Sequence, residues 1–217
     1  MKVYGALVAS SFPLISIFTP LAYSFIIMSK RKASTSSYGS AKSSKVESLN
    51  LSEIDLLENT CQKWLMKSEA EGPSSYNINK LVAEENQTTA WEGVRNYLAR
   101  NHMRTMKRGD LAFFYHSNAK NETGIVGIVV ITKEFYNDVS YITPGSPYFD
   151  ADFKDPSKWS VVDVTLFEKL TNPILLSQLK ADKNLEGMDL LKKGNRLSVQ
   201  RVTDIHWGHI VKEYIMK

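Results

Sequence analysis

The chain has 217 residues, of which 43% are hydrophobic, 11% aromatic and 23% charged, an ordinary globular composition with length for one well-buried domain and a tail. Its formal net charge is only +4, and residues 59–217 carry 21 of the 27 basic and 19 of the 23 acidic side chains. Because so mild a balance permits an anionic partner without requiring one, a nucleic-acid function must rest on a local patch and a pocket. Cys61 is the only cysteine, which excludes an intrachain disulfide and a cysteine-based zinc site.

Residues 1–28 form an almost uncharged stretch that is long enough to span a bilayer or to serve as a secretion signal. Pro13 and Pro20 interrupt this stretch, and Met28 precedes a basic cluster at residues 30–32 of the kind found in nuclear and nucleic-acid-binding proteins. Three interpretations remain open: a membrane anchor, a secretion signal, or an upstream extension absent from most of the protein. We favour the extension because it agrees with the rest of the chain, and a membrane is then a partner only if residues 1–28 are retained.

Ser, Ala, Thr and Lys dominate residues 33–48, which show no apolar period. Such a segment buries too little apolar surface to fold, so it predicts a disordered linker. Leu49–Glu58 is more apolar and favours a short helix. We therefore expect a hydrophobic extension over residues 1–28, a linker over 29–58 and one folded domain over 59–217.

The folded part alternates between short strands and short helices. The predicted elements of its first half are a strand at 63–68, a short helix capped by Asn77, a loop at 88–93 that carries Trp91, a helix at 94–106 and a strand at 111–116. Those of its second half are strands at 124–132, 159–167 and 196–202, a long loop at 143–157, helical pieces at 175–180 and 188–191, and a terminal helix from Thr203. This order predicts an α+β fold with a small, strongly curved sheet.

Five sequence blocks stand out in this part: WLMKSE from Trp64, WEGVRNYLARN from Trp91, FYHSN from Phe114, GIVG from Gly124 and WSVVDV from Trp159. In this order they closely resemble the EVE domain of the PUA-like superfamily, over roughly residues 61–217. The resemblance implies a curved β-barrel with short flanking helices, a base pocket and no enzyme activity. Within this family the implied ligand is a modified cytosine in DNA, particularly the hydroxymethylated form. Relatives usually carry Ser-Glu-Pro where this chain has Ser68-Glu69-Ala70.

A protein that reads one modified base needs aromatic faces for stacking, hydrogen-bonding groups for the base edge and cations for the neighbouring phosphates. The motif blocks supply all three. The candidate base-binding residues are Lys67, Ser68, Glu69, Trp91, Asn96, Tyr115, His116, Ser117, Asn118 and Trp159, with Trp91, Tyr115 and Trp159 as aromatic walls. The candidate phosphate contacts are Arg95, Arg100, Arg104 and Lys107, on or beside one predicted helix.

Several of these residues have a structural alternative. Tryptophans of a small barrel are more often core than cage, and a basic helix face is usually just solvated. Asn96 is also suited to satisfying backbone groups, and His116 is as suited to a structural role as to a base contact. Trp91 is the strongest candidate because a tryptophan in a polar loop is an unusual core choice.

The leading hypothesis is therefore a monomeric, nuclear, non-catalytic reader of a modified base, without metal or cofactor, with DNA favoured over RNA as the partner. The alternatives are an RNA-binding or RNA-modification-associated PUA-like domain, an enzyme acting on nucleic acid, and a membrane-tethered interaction protein. His116 and Ser117 argue against the enzyme, because adjacent residues of a strand point to opposite faces and form no dyad. His206 and His209 share a helical face, but no third metal ligand accompanies them.

Overall fold

The structure, a computed structural model, describes residues 61–72, 75–120, 123–151, 155 and 157–217. The hydrophobic extension, the linker and the helix expected at Leu49–Glu58 lie outside the described residues. The strands are β1 (Lys63–Glu69), β2 (Thr88–Ala90), β3 (Leu111–Ser117), β4 (Gly124–Asn137), β5 (Ser160–Leu175) and β6 (Val199–Val202). The α-helices are α1 (Ile78–Ala83), α2 (Tyr97–Thr105), α3 (Leu176–Ala181) and α4 (Asp204–Ile210). Single 3₁₀ turns occupy Glu85–Gln87, Lys183–Leu185 and Asp189–Leu191, and a π-helical turn at Val211–Ile215 extends α4.

The six strands form one sheet in the order β2-β5-β4-β3-β1-β6. The β1 and β3 strands are parallel, and the other neighbouring pairs are antiparallel. Within the described residues β2 and β6 are the two edges, so the sheet is open rather than closed on itself. The register of β4 shifts once against β3 and four times against β5, and such bulges bend and twist a strand. The predicted α+β class is confirmed.

Several elements differ from the sequence-based expectation, and among them β5 runs on to Leu175 and β6 begins only at Val199. The segment expected as a loop begins with β2, and after it the Trp91 N–H donates to the Val162 C=O of β5 at 2.8 Å. The helix expected from residue 94 begins at Tyr97, because the Asn96 side chain accepts hydrogen bonds from the Leu98 and Ala99 N–H groups and fixes the cap there. The β4 strand continues to Asn137 through exposed residues that lack the apolar pattern used to predict it.

The two faces of the sheet pack against different helices. On one face, Trp64, Phe114 and Val162 form a core with Met103 of α2. On the other face, Phe113 stacks on Trp207 of α4 with 3.9 Å between ring centroids. Because side chains alternate along a strand, each residue of β1 and β3 belongs to one of these two environments.

Candidate functional site

Arg95 is the centre of a cluster that joins the segment before α2 to the loop after β4. Its guanidinium donates a hydrogen bond to Asp138 Oδ2 at 2.8 Å. The guanidinium carbon also lies 5.5 Å from the ring centroid of Trp159, 5.6 Å from that of Tyr148 and 5.9 Å from that of Tyr141. These five residues are called the Arg95 cluster below. A cation within about 6 Å of several rings is attracted to each of their faces, so Arg95 holds the cluster together.

Asp138 is the buried anchor of this cluster, with only 1% of its surface exposed. Its carboxylate accepts hydrogen bonds from Arg95, from the Gly93 N–H at 3.2 Å and from the Ser140 N–H at 2.8 Å. Burial alone would raise the pKa of Asp138, but the hydrogen bonds from Arg95, Ser140 and Gly93 outweigh it and hold the pKa below its usual value. The carboxylate is therefore a fixed negative charge that positions two loops.

The segment from Asp138 to Asp150 is a compact loop that overlaps the long loop expected at residues 143–157. The Asp150 N–H donates to the Tyr141 C=O at 2.8 Å and brings the two arms of the loop together. Inner turns are closed by the Ile142 N–H with the Val139 C=O and by the Phe149 N–H with the Ser146 C=O, both at 3.1 Å. With Asp138 and Tyr141 also held by Arg95, the loop is anchored from inside, and we call it the anchored loop.

Tyr148 lies directly against the backbone of Gly93. Gly93 has a φ of +78°, and a Cβ atom at this position would come within 2.3 Å of the Tyr148 ring. Glycine is therefore required here both by the backbone conformation and by the close approach of the ring.

The charges of three carboxylates act on the phenol of the same ring. Burial raises the pKa of the Tyr148 phenol, the charge of Glu92 raises it further, and Asp138 and Glu69 add to this effect while Arg95 opposes it. Burial also raises the pKa of Glu92, with a further contribution from Asp138. The Arg95 guanidinium thus lies over the Tyr148 ring, and the charges of Glu92 and Glu69 act on the phenol of this ring. We call Glu69, Glu92, Gly93, Arg95 and Tyr148 the Tyr148 site.

Of the three arginines predicted as phosphate contacts, Arg95 is paired with Asp138, whereas Arg100 and Arg104 connect α2 to the start of β5. Arg100 Nη1 donates to the Lys158 C=O at 2.9 Å, and Arg104 donates to the Ser160 hydroxyl at 2.9 Å and to the Ser157 C=O at 2.5 Å. These partners are neutral oxygens, so the hydrogen bonds orient the guanidinium groups without cancelling their charge. Lys107 instead forms an exposed pair with Glu134 at 2.9 Å.

The structure places Trp91 in the core rather than at an open wall. Its ring meets Phe114 edge-to-face with centroids 5.1 Å apart, and 6% of its surface is exposed. Trp159 is also buried, but it belongs to the Arg95 cluster and packs on Tyr97 at 5.2 Å. Among the three residues predicted as aromatic walls, Trp159 is therefore the one that belongs to the same cluster as Tyr148.

Tyr115 and Lys67 lie on the other face of the sheet from Trp91. Phe114 and His116 pack against each other on the Trp91 side, so Tyr115 between them follows Phe113 toward the opposite side. The Lys67 ammonium is 5.9 Å from the Tyr115 ring centroid, and burial lowers the pKa of Lys67. The structure does not bring Tyr115 and Trp91 together as two walls of one pocket.

The remaining polar candidates make hydrogen bonds within the fold. Ser68 Oγ donates to the Tyr76 C=O at 2.5 Å, Ser117 Oγ donates to the Ser68 C=O at 3.1 Å, and His116 Nε2 accepts the Ile78 N–H at 3.0 Å. These bonds join the ends of β1 and β3 to the start of α1. As noted above, the Asn96 side chain caps α2. Asn118 is exposed after β3, with a left-handed φ of 52°.

A separate cleft opens at the ends of β1 and β3 beside the start of α1. It has a volume of about 400 Å³ and is lined by Ala70, Glu71, Asn77, Asn79, His116, Ala119 and Lys120. We call it the strand-end cleft. His116 is its one residue from the predicted base-binding set, and the imidazole is held by the Ile78 N–H.

Two further expectations concern metals and membranes. Among the described residues no group of three or more His, Cys, Asp or Glu side chains is placed to hold a metal ion. His209 lies 2.6 Å from Asp182 Oδ2, which also accepts the Tyr214 hydroxyl. None of the helices described here is long and apolar enough to cross a membrane.

Five residues of the Tyr148 site and the Arg95 cluster were not among the candidates predicted from the sequence: Glu92, Gly93, Asp138, Tyr141 and Tyr148. Gly93 lies within the WEGVRNYLARN block, in which its neighbours Trp91 and Arg95 were predicted as binding residues. Asp138 and Tyr148 belong to a Tyr-, Pro- and Gly-rich loop, a composition that often marks a functional loop but identifies no particular side chain.

The open six-stranded sheet with short flanking helices, and the Tyr148 site at its margin, define an α+β domain of the PUA-like class. Residues 62–213 match the EVE domain, and the chain belongs to this family. It is 38% identical over 203 residues to thymocyte nuclear protein 1 of Homo sapiens, a match that covers 85% of this chain and 89% of the relative. The protein of the same name from Gallus gallus is 44% identical over 162 residues, covering 68% of this chain and 66% of that one.

Solved structures agree with this assignment. The human THYN1 protein, in complex with DNA containing 5-methylcytosine, superposes with a TM-score of 0.65 at 38% identity, covering 70% of this chain and 96% of that one. A protein from Pseudomonas putida superposes with a TM-score of 0.63 at 41% identity, covering 69% of this chain and 97% of that one. The resemblance predicted from the sequence blocks is confirmed.

Proposed function

We propose that this protein binds DNA and reads a modified cytosine in the Tyr148 site, without catalysing a reaction. One observation carries the proposal: the Arg95 guanidinium lies over the Tyr148 ring, this ring packs against Gly93, and the charges of Glu92 and Glu69 act on its phenol. The human relative crystallised with 5-methylcytosine-containing DNA supports the choice of nucleic acid and of base. A DNA partner and the relatives' name, thymocyte nuclear protein 1, support a nuclear location.

Recognition would begin with extrusion of the cytosine from the duplex. The base would stack on Tyr148, and stacking on an aromatic side chain contributes about 1–3 kcal/mol per base. The exocyclic amino group of cytosine is a donor, which a carboxylate of Glu69 or Glu92 would accept. These carboxylates favour a cytosine over a thymine, whose corresponding group is an acceptor.

The modification itself would be read at carbon 5. A hydroxymethyl group carries a hydroxyl that can donate to a carboxylate, whereas a methyl group makes only apolar contact. Because the Tyr148 site contains two carboxylates, one can accept the amino group while the other accepts this hydroxyl. We therefore propose 5-hydroxymethylcytosine as the preferred ligand, with 5-methylcytosine second.

The flanking DNA backbone would lie along α2 and the start of β5. Arg100 and Arg104 are oriented there by neutral oxygens and keep their charge for phosphates. Ser68, His116, Ser117 and Asn96 would act indirectly, because their hydrogen bonds hold the strand ends and the cap of α2 in place. Trp159 would support the site from within the Arg95 cluster.

The test is binding of the purified chain to duplexes that differ in one base, measured by fluorescence anisotropy at fixed salt. The series contains cytosine, 5-methylcytosine, 5-hydroxymethylcytosine and N6-methyladenine, with an RNA strand of the same sequence as a further arm. We expect a preference for modified cytosine in DNA that Tyr148→Ala reduces by roughly 5- to 150-fold, the equivalent of about 1–3 kcal/mol. Tyr148→Phe keeps the aromatic ring and should therefore retain the preference for modified cytosine. Equal, salt-sensitive binding to every duplex would leave only a basic surface and would end the proposal.

A further inference from the structure

The anchored loop presents apolar side chains to solvent on its outer side. Val139 is 55% exposed, and Ile142 and Phe149 are each 47% exposed. Their chain neighbours Asp138, Tyr141 and Tyr148 instead turn inward to Arg95. The loop thus has an inner side that holds the Arg95 cluster and an outer side that is apolar.

This exposure belongs to a fixed surface rather than to a loose segment. The hydrogen bond between Asp150 and Tyr141 and the two inner turns fix the backbone at Val139, Ile142 and Phe149. Several exposed apolar residues on one rigid element indicate an interaction surface, whereas single scattered ones need no explanation. These three side chains leave apolar surface in contact with water, which is unfavourable. We therefore expect a binding partner to cover them.

We propose that Val139, Ile142 and Phe149 form a wedge that enters the base stack of a DNA duplex at the step from which the modified cytosine leaves. This inference rests on the proposed function and extends it to how the base is extracted. Phe149 directly follows Tyr148 and lies on the opposite side of the loop, so the inserted wedge and the extruded base would lie on the two sides of one short segment. Proteins that open or bend DNA often insert apolar side chains between base steps in this way.

Charge complementarity supports duplex DNA as the occupant. The anchored loop is held by Arg95, and the exposed Tyr97 at the start of α2 packs on Trp159 of the same cluster. The Arg100 guanidinium carbon is 5.0 Å from the Tyr97 ring centroid. Arg100 thus lies beside the cluster that holds the anchored loop, and a ligand with stacked bases inside and phosphates outside would contact the wedge and this cation together.

If the wedge is correct, substitutions in it should weaken binding to duplex DNA more than binding to single-stranded DNA. A base pocket alone predicts no such difference. Extruding a base from a duplex leaves a gap in the stack, and the wedge would fill it. In a single strand the base is already accessible, so extrusion is cheap and the wedge has no gap to fill. The wedge should therefore matter for duplex DNA, and Tyr148 for both forms.

The experiment compares Ile142→Ala/Phe149→Ala with wild type on one 5-methylcytosine oligonucleotide, either single-stranded or in a duplex. Ile205→Ala is the matched control, since Ile205 is an 80% exposed apolar residue on α4. We expect the double variant to lose roughly tenfold in affinity for the duplex and less than about twofold for the single strand. Tyr148→Ala should lose affinity for both, and Ile205→Ala for neither. A duplex carrying 2-aminopurine beside the modified base should show weaker fluorescence enhancement with the double variant.

Equal losses on duplex and single strand, or no loss on either, would overturn the wedge. Thermal unfolding monitors the fold, and Val139→Ser provides a milder variant of the same surface if the double variant unfolds. If the proposed function itself is wrong, wild type shows no preference for the modified base in either form. If only the wedge is wrong, wild type keeps that preference and the variants do not separate duplex from single strand.

Discussion

The strand-end cleft and the Tyr148 site differ in what they offer a ligand. The cleft has the volume, about 400 Å³, but its lining is alanine, carboxylate, amide and ammonium groups around an imidazole already bound to the Ile78 N–H. The Tyr148 site has an aromatic ring that packs against Gly93 and Arg95, and a guanidinium held by Asp138. It also has two exposed carboxylates whose charges act on the phenol of this ring. A base needs a face to stack on and groups that read its edge, so the chemistry of the two places favours the Tyr148 site as the proposed base site.

Trp91 also differs from Tyr148, because Trp91 stabilises the fold whereas Tyr148 is the ring on which the base would stack. Trp91→Ala should have the largest effect on the molecule, lowering the free energy of unfolding by about 3–5 kcal/mol, because it removes a buried ring that packs on Phe114. Urea denaturation measures this change, with the exposed Tyr97→Ala as control at under about 1 kcal/mol. A Trp91→Ala protein of normal stability that no longer distinguished modified cytosine would instead make Trp91 a wall of the base site.

The charge that positions the Tyr148 site comes from Asp138. Asp138→Ala should lower the free energy of unfolding by about 2–3 kcal/mol, since it leaves the Gly93 N–H and the partly buried Arg95 guanidinium without their acceptor. The exposed pair of Glu134 with Lys107 is the control, and Glu134→Ala should leave the free energy of unfolding nearly unchanged. Equal effects of the two variants would mean that the Arg95 cluster does not organise the loop.

Acid titration checks the same carboxylate. Because the pKa of Asp138 is lower in the folded state than its ordinary value of 3.8, its stabilising contribution is complete above that value and is lost as the pH falls through the lower folded value. Asp138→Asn should therefore flatten the loss of stability below about pH 4. An unchanged acid profile would show that the carboxylate is not stabilised in this way.

Gly93 allows the most specific test of the Tyr148 ring. Gly93→Ala should cost about 1–2 kcal/mol from its left-handed backbone and should also push the ring away and weaken base binding. Gly187 is a matched control, because its φ of +85° imposes a similar strain while a Cβ there would meet nothing within 4 Å. Loss of binding in both variants, or in neither, would contradict the role given to the ring position.

The cleft supplies the smallest expected effect. Asn79→Ala removes a polar side chain from its lining, and we expect the affinity for modified DNA to change by less than about twofold, as for a surface substitution away from a binding site. The anisotropy assay used for Tyr148→Ala measures it. A loss as large as that of Tyr148→Ala would move the base site into the cleft.

The sequence was sufficient for the fold because its signals were local and repeated. Alternation around Trp64, the Asn77 cap and the ordered motif blocks each predicted an element or the family that the structure and comparisons confirm. The site was harder, because its contacts are distant in sequence: Arg95 with Asp138 and Gly93 with Tyr148. Trp91 was predicted to line the pocket because its segment reads as a polar loop. In the structure β2 precedes Trp91, and the hydrogen bond of its N–H to Val162 holds the residue against β5, so its ring is buried in the core.

The most direct measurement is a hydrogen-exchange footprint of the full chain, free and bound to a duplex with one 5-methylcytosine. The account predicts that binding slows exchange in residues 91–98 and in the anchored loop, while residues 75–79 and 116–120 around the strand-end cleft exchange as before. Slower exchange at the strand-end cleft with no change in the anchored loop would contradict base binding at the Tyr148 site and would place the base in the cleft.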